Sequence, residues 1–148
     1  GGWILTNCAV QEGGDKDANP VYKLIGKVAG TDTWAKAVCM NGKTAAVGTI
    51  ESPEISGGCG TLTFDYANIF TESNGVNFKI DVIKGGSVVK TFTINNASAT
   101  KLTKYSHSEA INVSGDFQIV FTNLSPSNSK SNKDRTAVWD VEWTGYKN

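Results

Sequence analysis

Residues 76–82, VNFKIDV, decide the reading of this chain: Val76, Phe78, Ile80 and Val82 fall on one side, and Asn77, Lys79 and Asp81 on the other. Apolar residues that recur every second position mark a β-strand with one buried face, because successive side chains of extended backbone point in opposite directions. The pattern spreads outward from there. Leu62, Phe64 and Tyr66 share a face in 62–66, opposite Thr63 and Asp65. Phe117, Ile119 and Phe121 face one way in 117–121. In 137–143, Ala137, Trp139, Val141 and Trp143 are expected together, opposed by Val138, Asp140 and Glu142.

Turn chemistry separates these runs. Gly85-Gly86 divides 76–84 from 87–95, and Ser114-Gly115-Asp116 divides 104–113 from 117–123; both read as hairpins. Ser73-Asn74-Gly75 punctuates 61–70 from 76–84, and the small residues Ser56-Gly57-Gly58 before Cys59-Gly60 permit a tight bend. No stretch sustains a 3.6-residue period with caps. Closely spaced strands without helices between them predict an all-β, antiparallel β-sandwich of jelly-roll type. With no linker and no internal repeat, residues 1–148 are expected to form one such domain.

Composition narrows the function. Lys plus Arg and Asp plus Glu number 14 each, and Arg135 is the sole arginine among scattered lysines. Zero net charge argues against nucleic acid as a partner, because phosphate binding needs a cationic excess. No apolar run approaches the roughly 20 residues of a membrane helix. The start, Gly1-Gly2-Trp3, has no basic segment leading into an apolar one. The expectation is a mature domain or an excised piece of a longer protein, with Gly1 left over from cloning. Cys8, Cys39 and Cys59 fit no metal or redox spacing and read as small buried hydrophobes, with one disulfide as the alternative.

The segments SGGCGTLTFDYANIF (56–70) and KDRTAVWDVEWTG (133–145) resemble a recurring β-sandwich module at the C-terminal end of secreted and surface-anchored bacterial proteins, among them extracellular nucleases and glycan-handling lipoproteins. ESPEISGG (51–58) resembles the strand end where the module's halves meet, GTLTFDY its central strand and VWDVEW its final one. The likeness covers 44–145 well and 3–43 loosely. It implies a jelly-roll of the carbohydrate-binding kind, an extracellular or cell-surface location (periplasmic or outer-membrane-anchored included), and a covalently linked N-terminal domain. It implies no catalytic residue.

Weighed for chemistry, the residues favour binding over catalysis. The single histidine, His107, alternates with Ser106 and Ser108, so it faces away from both, and no GxSxG elbow exists. A glycoside hydrolase needs two carboxylates across a sugar ring. Asp65, Asp81, Asp140 and Glu142 sit on outward strand positions, but sequence cannot set any two opposite each other. Asp15, Asp17 and Asn19 match the opening of a calcium loop, which then fails at Pro20 and Gly26. An EF-hand is excluded; a structural Ca²⁺ there or near Asp140 stays open, and no other cofactor is expected.

Glycan binding calls for an aromatic plane beside amides, carboxylates or Arg. The candidate contacts are Trp34, Tyr105, His107, Asn128, Asp134 and Arg135, with Tyr22, Tyr146 and Asn132 behind them. Trp139 is expected in the core. The Ser/Asn-rich stretch 125–134 and the Gly/Asp-rich stretch 11–20 read as exposed loops. Sequons at Asn96, Asn112 and Asn123 are taken as coincidental. The expected function is a non-catalytic accessory module, first for carbohydrate. A structural spacer or docking domain beside an enzyme is the alternative, and a small hydrolase the second.

Overall fold

A computed structural model describes residues 2–11, 27–28, 31–32, 37–40, 42–43, 46–68, 75–100, 103–124 and 135–148. Its strands are β1 (Ile4–Thr6), β2 (Cys8–Gln11), β3 (Lys27–Val28), β4 (Thr31–Asp32), β5 (Ala37–Met40), β6 (Gly42–Lys43) and β7 (Ala46–Val47). They continue with β8 (Thr49–Glu51), β9 (Cys59–Asn68), β10 (Val76–Lys84), β11 (Ser87–Asn96), β12 (Tyr105–Val113), β13 (Gln118–Asn123) and β14 (Thr136–Trp143). Two five-stranded antiparallel sheets form the sandwich, ordered β1-β8-β13-β10-β11 and β12-β9-β14-β5-β2; β3-β4 and β6-β7 are two-stranded ladders. Among the described residues no helix is long and apolar enough to cross a membrane.

Alternation builds the core as the sequence requires. Phe78, Ile80 and Val82 of β10, Leu62 and Phe64 of β9, and Ile119 and Phe121 of β13 are buried in one cluster between the sheets. Phe64 sits at its centre, with Phe78 at 5.8 Å and Phe121 edge-on at 5.4 Å between ring centroids. Three-centred aromatic packing of this kind adds to area burial through offset and edge contacts. Two polar side chains that enter the interior are paired. Asn123 Nδ2 donates to the Met40 carbonyl across the sandwich at 3.1 Å, and Ser52 Oγ accepts from the Ile119 amide at 2.8 Å.

The two predicted hairpins part company. Gly85 and Gly86 both take positive φ (58° and 80°) between the paired residues Lys84 and Ser87, the geometry that a two-residue turn between twisted strands demands. Ser114–Asp116 is not a hairpin. β12 pairs with β9, whereas β13 pairs with β10 and β8, so this segment carries the chain from one sheet to the other. Gly75 serves a second crossover, from β9 to β10. Its φ is +87°, and a Cβ there would run into the backbone at Asn96 and Ala97.

The expected common face of Trp139, Val141 and Trp143 is also corrected. The β14–β9 register shifts between Trp139 and Glu142, and Asp140 takes φ +49°. Trp139 pairs with the outward Asp65, while Trp143 pairs with the inward Leu62. One extra residue flips every later side chain of a strand. Trp139 is buried, but it stands outside the inter-sheet cluster, and Trp143 is 38% exposed. Cys8, Cys39 and Cys59 are all free thiols. Burial pushes the Cys8 thiol up to about 11 and that of Cys39 to about 12.

Candidate functional site

The outer face of the second sheet carries an open trough of about 340 Å³ across β12, β9 and β14. Alternation sets its walls. Because His107 and Glu109 of β12 turn toward the interior, Ser106 and Ser108 stand outward. On β9, Phe64 turns inward and leaves Thr63 and Asp65 outward. The bulge in β14 then delivers Asp140 and Glu142 to the same face. Register aligns them in two rows, Ser106 with Asp65 and Ser108 with Thr63 and Glu142. Adjacent strands lie about 4.8 Å apart, so one small ring can reach groups on two of them.

Polarity in the trough is acidic and rich in hydroxyls. Ser106 Oγ donates to Asp65 Oδ1 at 2.6 Å, and Lys104 Nζ stands 3.8 Å from Asp65 Oδ2. Asp140 and Glu142 lie on the open side, both exposed. Such a surface offers carboxylate acceptors for several hydroxyl donors, with Ser and Thr able to donate or accept. The fourth outward carboxylate, Asp81, is elsewhere. It lies on β10 of the first sheet, bonded to Thr91 and paired with Lys79.

The predicted residues that fall in the described part do not form one site. Tyr105 and His107 share the inner face of β12, although His107 also borders the trough. Tyr105 stacks on Tyr66 at 5.5 Å and 21°, and its hydroxyl accepts from the Thr100 amide at 3.0 Å. The His107 ring lies 5.6 Å from Phe64 and 5.7 Å from Phe92, and Nε2 donates to Glu109 Oε1 at 2.9 Å. Lys90 of β11 completes this edge, 3.5 Å from Glu109 Oε2. The Glu109 carboxyl is held below the usual carboxylate range, first by the His107 hydrogen bond and then by Lys90. Arg135 immediately precedes β14, where its charge opposes the burial that raises the Cys39 thiol.

Trp34, Asn128, Asp134, Asp15, Asp17 and Asn19 lie outside the described residues, as do Tyr22 and Asn132. Among the described residues no three His, Cys, Asp or Glu side chains could together hold a metal ion. Of the sequons, Asn123 is buried and bonded inward to Met40, and Asn96 Nδ2 donates to Tyr66 Oη at 3.4 Å. The trough itself was missed in sequence. Outward Thr63, Asp65, Ser106 and Ser108 were visible as the polar half of two alternations, but nothing in the chain order says that β9 lies between β12 and β14.

No family model matches the sequence, and no curated protein matches it. Among solved structures, the chain is similar to TmCBM61, solved in complex with β-1,4-galactotriose: 13% identity over 97% of this chain and 88% of that one, TM-score 0.56. It is similar to the K2 cleaved adhesin domain of Lys-gingipain, at 11% identity over 97% and 89%, TM-score 0.56. A third likeness is to the tandem CBM51 modules of Sp3GH98, the family 98 glycoside hydrolase from Streptococcus pneumoniae, at 14% identity over 94% of this chain and 43% of that one, TM-score 0.52. Identities this low show the fold, an antiparallel β-sandwich that carbohydrate-binding modules and an adhesin domain also have.

Proposed function

We propose that this domain is a non-catalytic glycan-binding module of a secreted or cell-surface protein, joined to a partner domain that does the chemistry. The observation that carries the reading is the trough. Ser106, Ser108, Thr63, Asp65, Asp140 and Glu142 present hydroxyl and carboxylate groups from three adjacent strands on one open face. A sugar ring is dense in hydroxyls, and carboxylates accept from them in the strongest class of neutral-to-charged hydrogen bonds. The acidic balance favours neutral or amino-bearing sugars over uronates and sulfated chains. The fold shared with TmCBM61 supports this reading.

Binding without turnover follows from the directions of the side chains. The serines of β12 face out, and the imidazole faces in toward Phe92 and Glu109, so neither Ser106 nor Ser108 is bonded to the histidine that would activate it. Calorimetric titration with neutral oligosaccharides, β-1,4-galactotriose among them, tests the proposal. Saturable binding that weakens at least ten-fold in Glu142→Gln, with no release of reducing ends, is the expected result. Failure of every neutral glycan on an array, or binding indifferent to Glu142, overturns it.

A further inference from the structure

A second pocket of about 300 Å³, open to solvent, lies beside β1 at the edge of the sandwich. Its walls come from both layers. Leu5 and Ile50 are register partners of the first sheet, and Val38 and Val138 are register partners of the second. Val141, placed by the β14 bulge, and the two indoles of Trp3 and Trp139 complete the apolar lining. Ile50 and Val138 belong to the buried cluster, and Trp3, Val38 and Val141 pack against it half-buried. Leu5, 36% exposed, stands on the solvent side.

Native interiors are close-packed, with few voids larger than a water molecule, so an apolar pocket of this size at the sandwich edge is surface from which a nonpolar ligand gains by displacing water. A dry apolar cavity of about 150 Å³ takes one benzene ring; this one is about twice as large and borders solvent. We infer that it is a binding site for the alkyl or acyl chain of an amphiphile, of roughly eight to ten carbons, whose polar end remains outside beyond Leu5. The chemistry of the walls selects the ligand. Aliphatic side chains from both sheets, with Trp3 and Trp139 beside them, offer almost no polar surface with which to orient a polar headgroup or substituted ring. A hydrocarbon chain gains from displacement of water along its whole length and needs no hydrogen bond inside. The site is separate from the glycan trough, which lies on the outer face of the second sheet.

The test uses the whole chain with N-phenyl-1-naphthylamine as fluorescent reporter. Octanoate, octyl β-glucoside below its micelle concentration, and glucose serve as competitors. Methyl NMR of Leu5, Val38, Ile50, Val138 and Val141 locates the binding. One-to-one binding of the reporter, displacement by an octyl compound but not by glucose, and shifts confined to those methyls support the site. The two headgroups separate a fatty-acid source from a glycolipid one. Leu5→Trp, which fills the pocket from its solvent side, should weaken octyl binding at least ten-fold and leave trough binding of neutral glycans unchanged. No saturable reporter binding, displacement by glucose, shifts centred elsewhere, or octyl binding unmoved in a folded Leu5→Trp overturns the inference. If Leu5→Trp does not fold, the methyl shifts of the unaltered chain decide alone.

Discussion

The imidazole of His107 lies on the ring of Phe92, with centroids 5.7 Å apart and planes 22° from parallel, and so joins the edge strand of one sheet to the edge strand of the other. The one histidine in the chain is a clasp. Its second ring contact is Phe64 of the core, and its Nε2 is engaged by Glu109. Replacing it with Ala removes two ring contacts and a hydrogen bond, and should cost about 1–2 kcal/mol in urea unfolding. Glycan binding should change far less than in Glu142→Gln, because His107 borders the trough with its imidazole turned inward. Loss of binding at unchanged stability would instead place His107 in the recognition surface.

Glu109 gives that clasp a pH signature. Its folded-state pKa lies below the ordinary value of 4.5, so its contribution is fully present above pH 4.5 and is lost as pH falls through the folded pKa. The side chain is partly open to water, so the effect is under about 1 kcal/mol. Stability measured against pH should therefore fall more steeply below pH 4.5 in the native protein than in Glu109→Gln. Identical slopes would show that the His107 and Lys90 contacts contribute nothing.

Asp140 combines a positive φ with a position on the trough, and two substitutions separate these roles. Asp140→Gly accepts the backbone and deletes the carboxylate, so thermal stability should hold while glycan affinity drops at least ten-fold. Asp140→Val keeps a side chain but places a β-branched residue where φ is +49°, at a cost of about 1–3 kcal/mol. Equal unfolding midpoints for the two variants would refute the strain argument.

Ser52 acts as a stand-in for backbone. Its amide donates to the Ile119 carbonyl at 2.9 Å, and its hydroxyl accepts from the Ile119 amide at 2.8 Å, closing a ladder pair where the strand has already ended. Ser52→Ala leaves that buried amide without an acceptor and should destabilise by about 1–3 kcal/mol. Amide hydrogen exchange at Ile119 should accelerate with it. Exchange as slow as in the unaltered chain would mean that another acceptor had taken its place.

The thiols should be inert in the folded chain. Burial raises all three, Cys8 to about 11 and Cys39 to about 12, so thiolate is scarce near neutral pH. Dithionitrobenzoate should label the native protein slowly and all three cysteines at once after unfolding in guanidinium. Rapid labelling of one thiol in the native state would contradict the packing around it.

Most of the architecture was legible in sequence because its strands obey a single rule. Val76 to Lys84 shows it plainly: Phe78, Ile80 and Val82 are fully enclosed, and Lys79 and Asp81 pair on the outside. Where the rule broke, the cause was local and small. Trp139 and Trp143 fall on opposite faces because a single residue, Asp140, bulges, and an Asp that tolerates positive φ looks like any other Asp in a string of letters. Ser114-Gly115-Asp116 has the same chemistry as a hairpin turn, and only the pairing partners of β12 and β13 distinguish a return from a crossover. The trough was illegible for a related reason. It exists because β12, β9 and β14 are neighbours in space, and strand order is a property of the whole assembly.

That repeated passage from layer to layer governs how the protein assembles. Between residues 59 and 143 the chain visits the second sheet, then the first for one hairpin, then the second, the first and the second again. Cutting the polypeptide anywhere along this path would leave each fragment with half of a greasy interface and nothing to cover it. Pairings this distant in sequence put folding in the millisecond-to-second range typical of sandwiches. Fragments expressed alone should precipitate rather than fold.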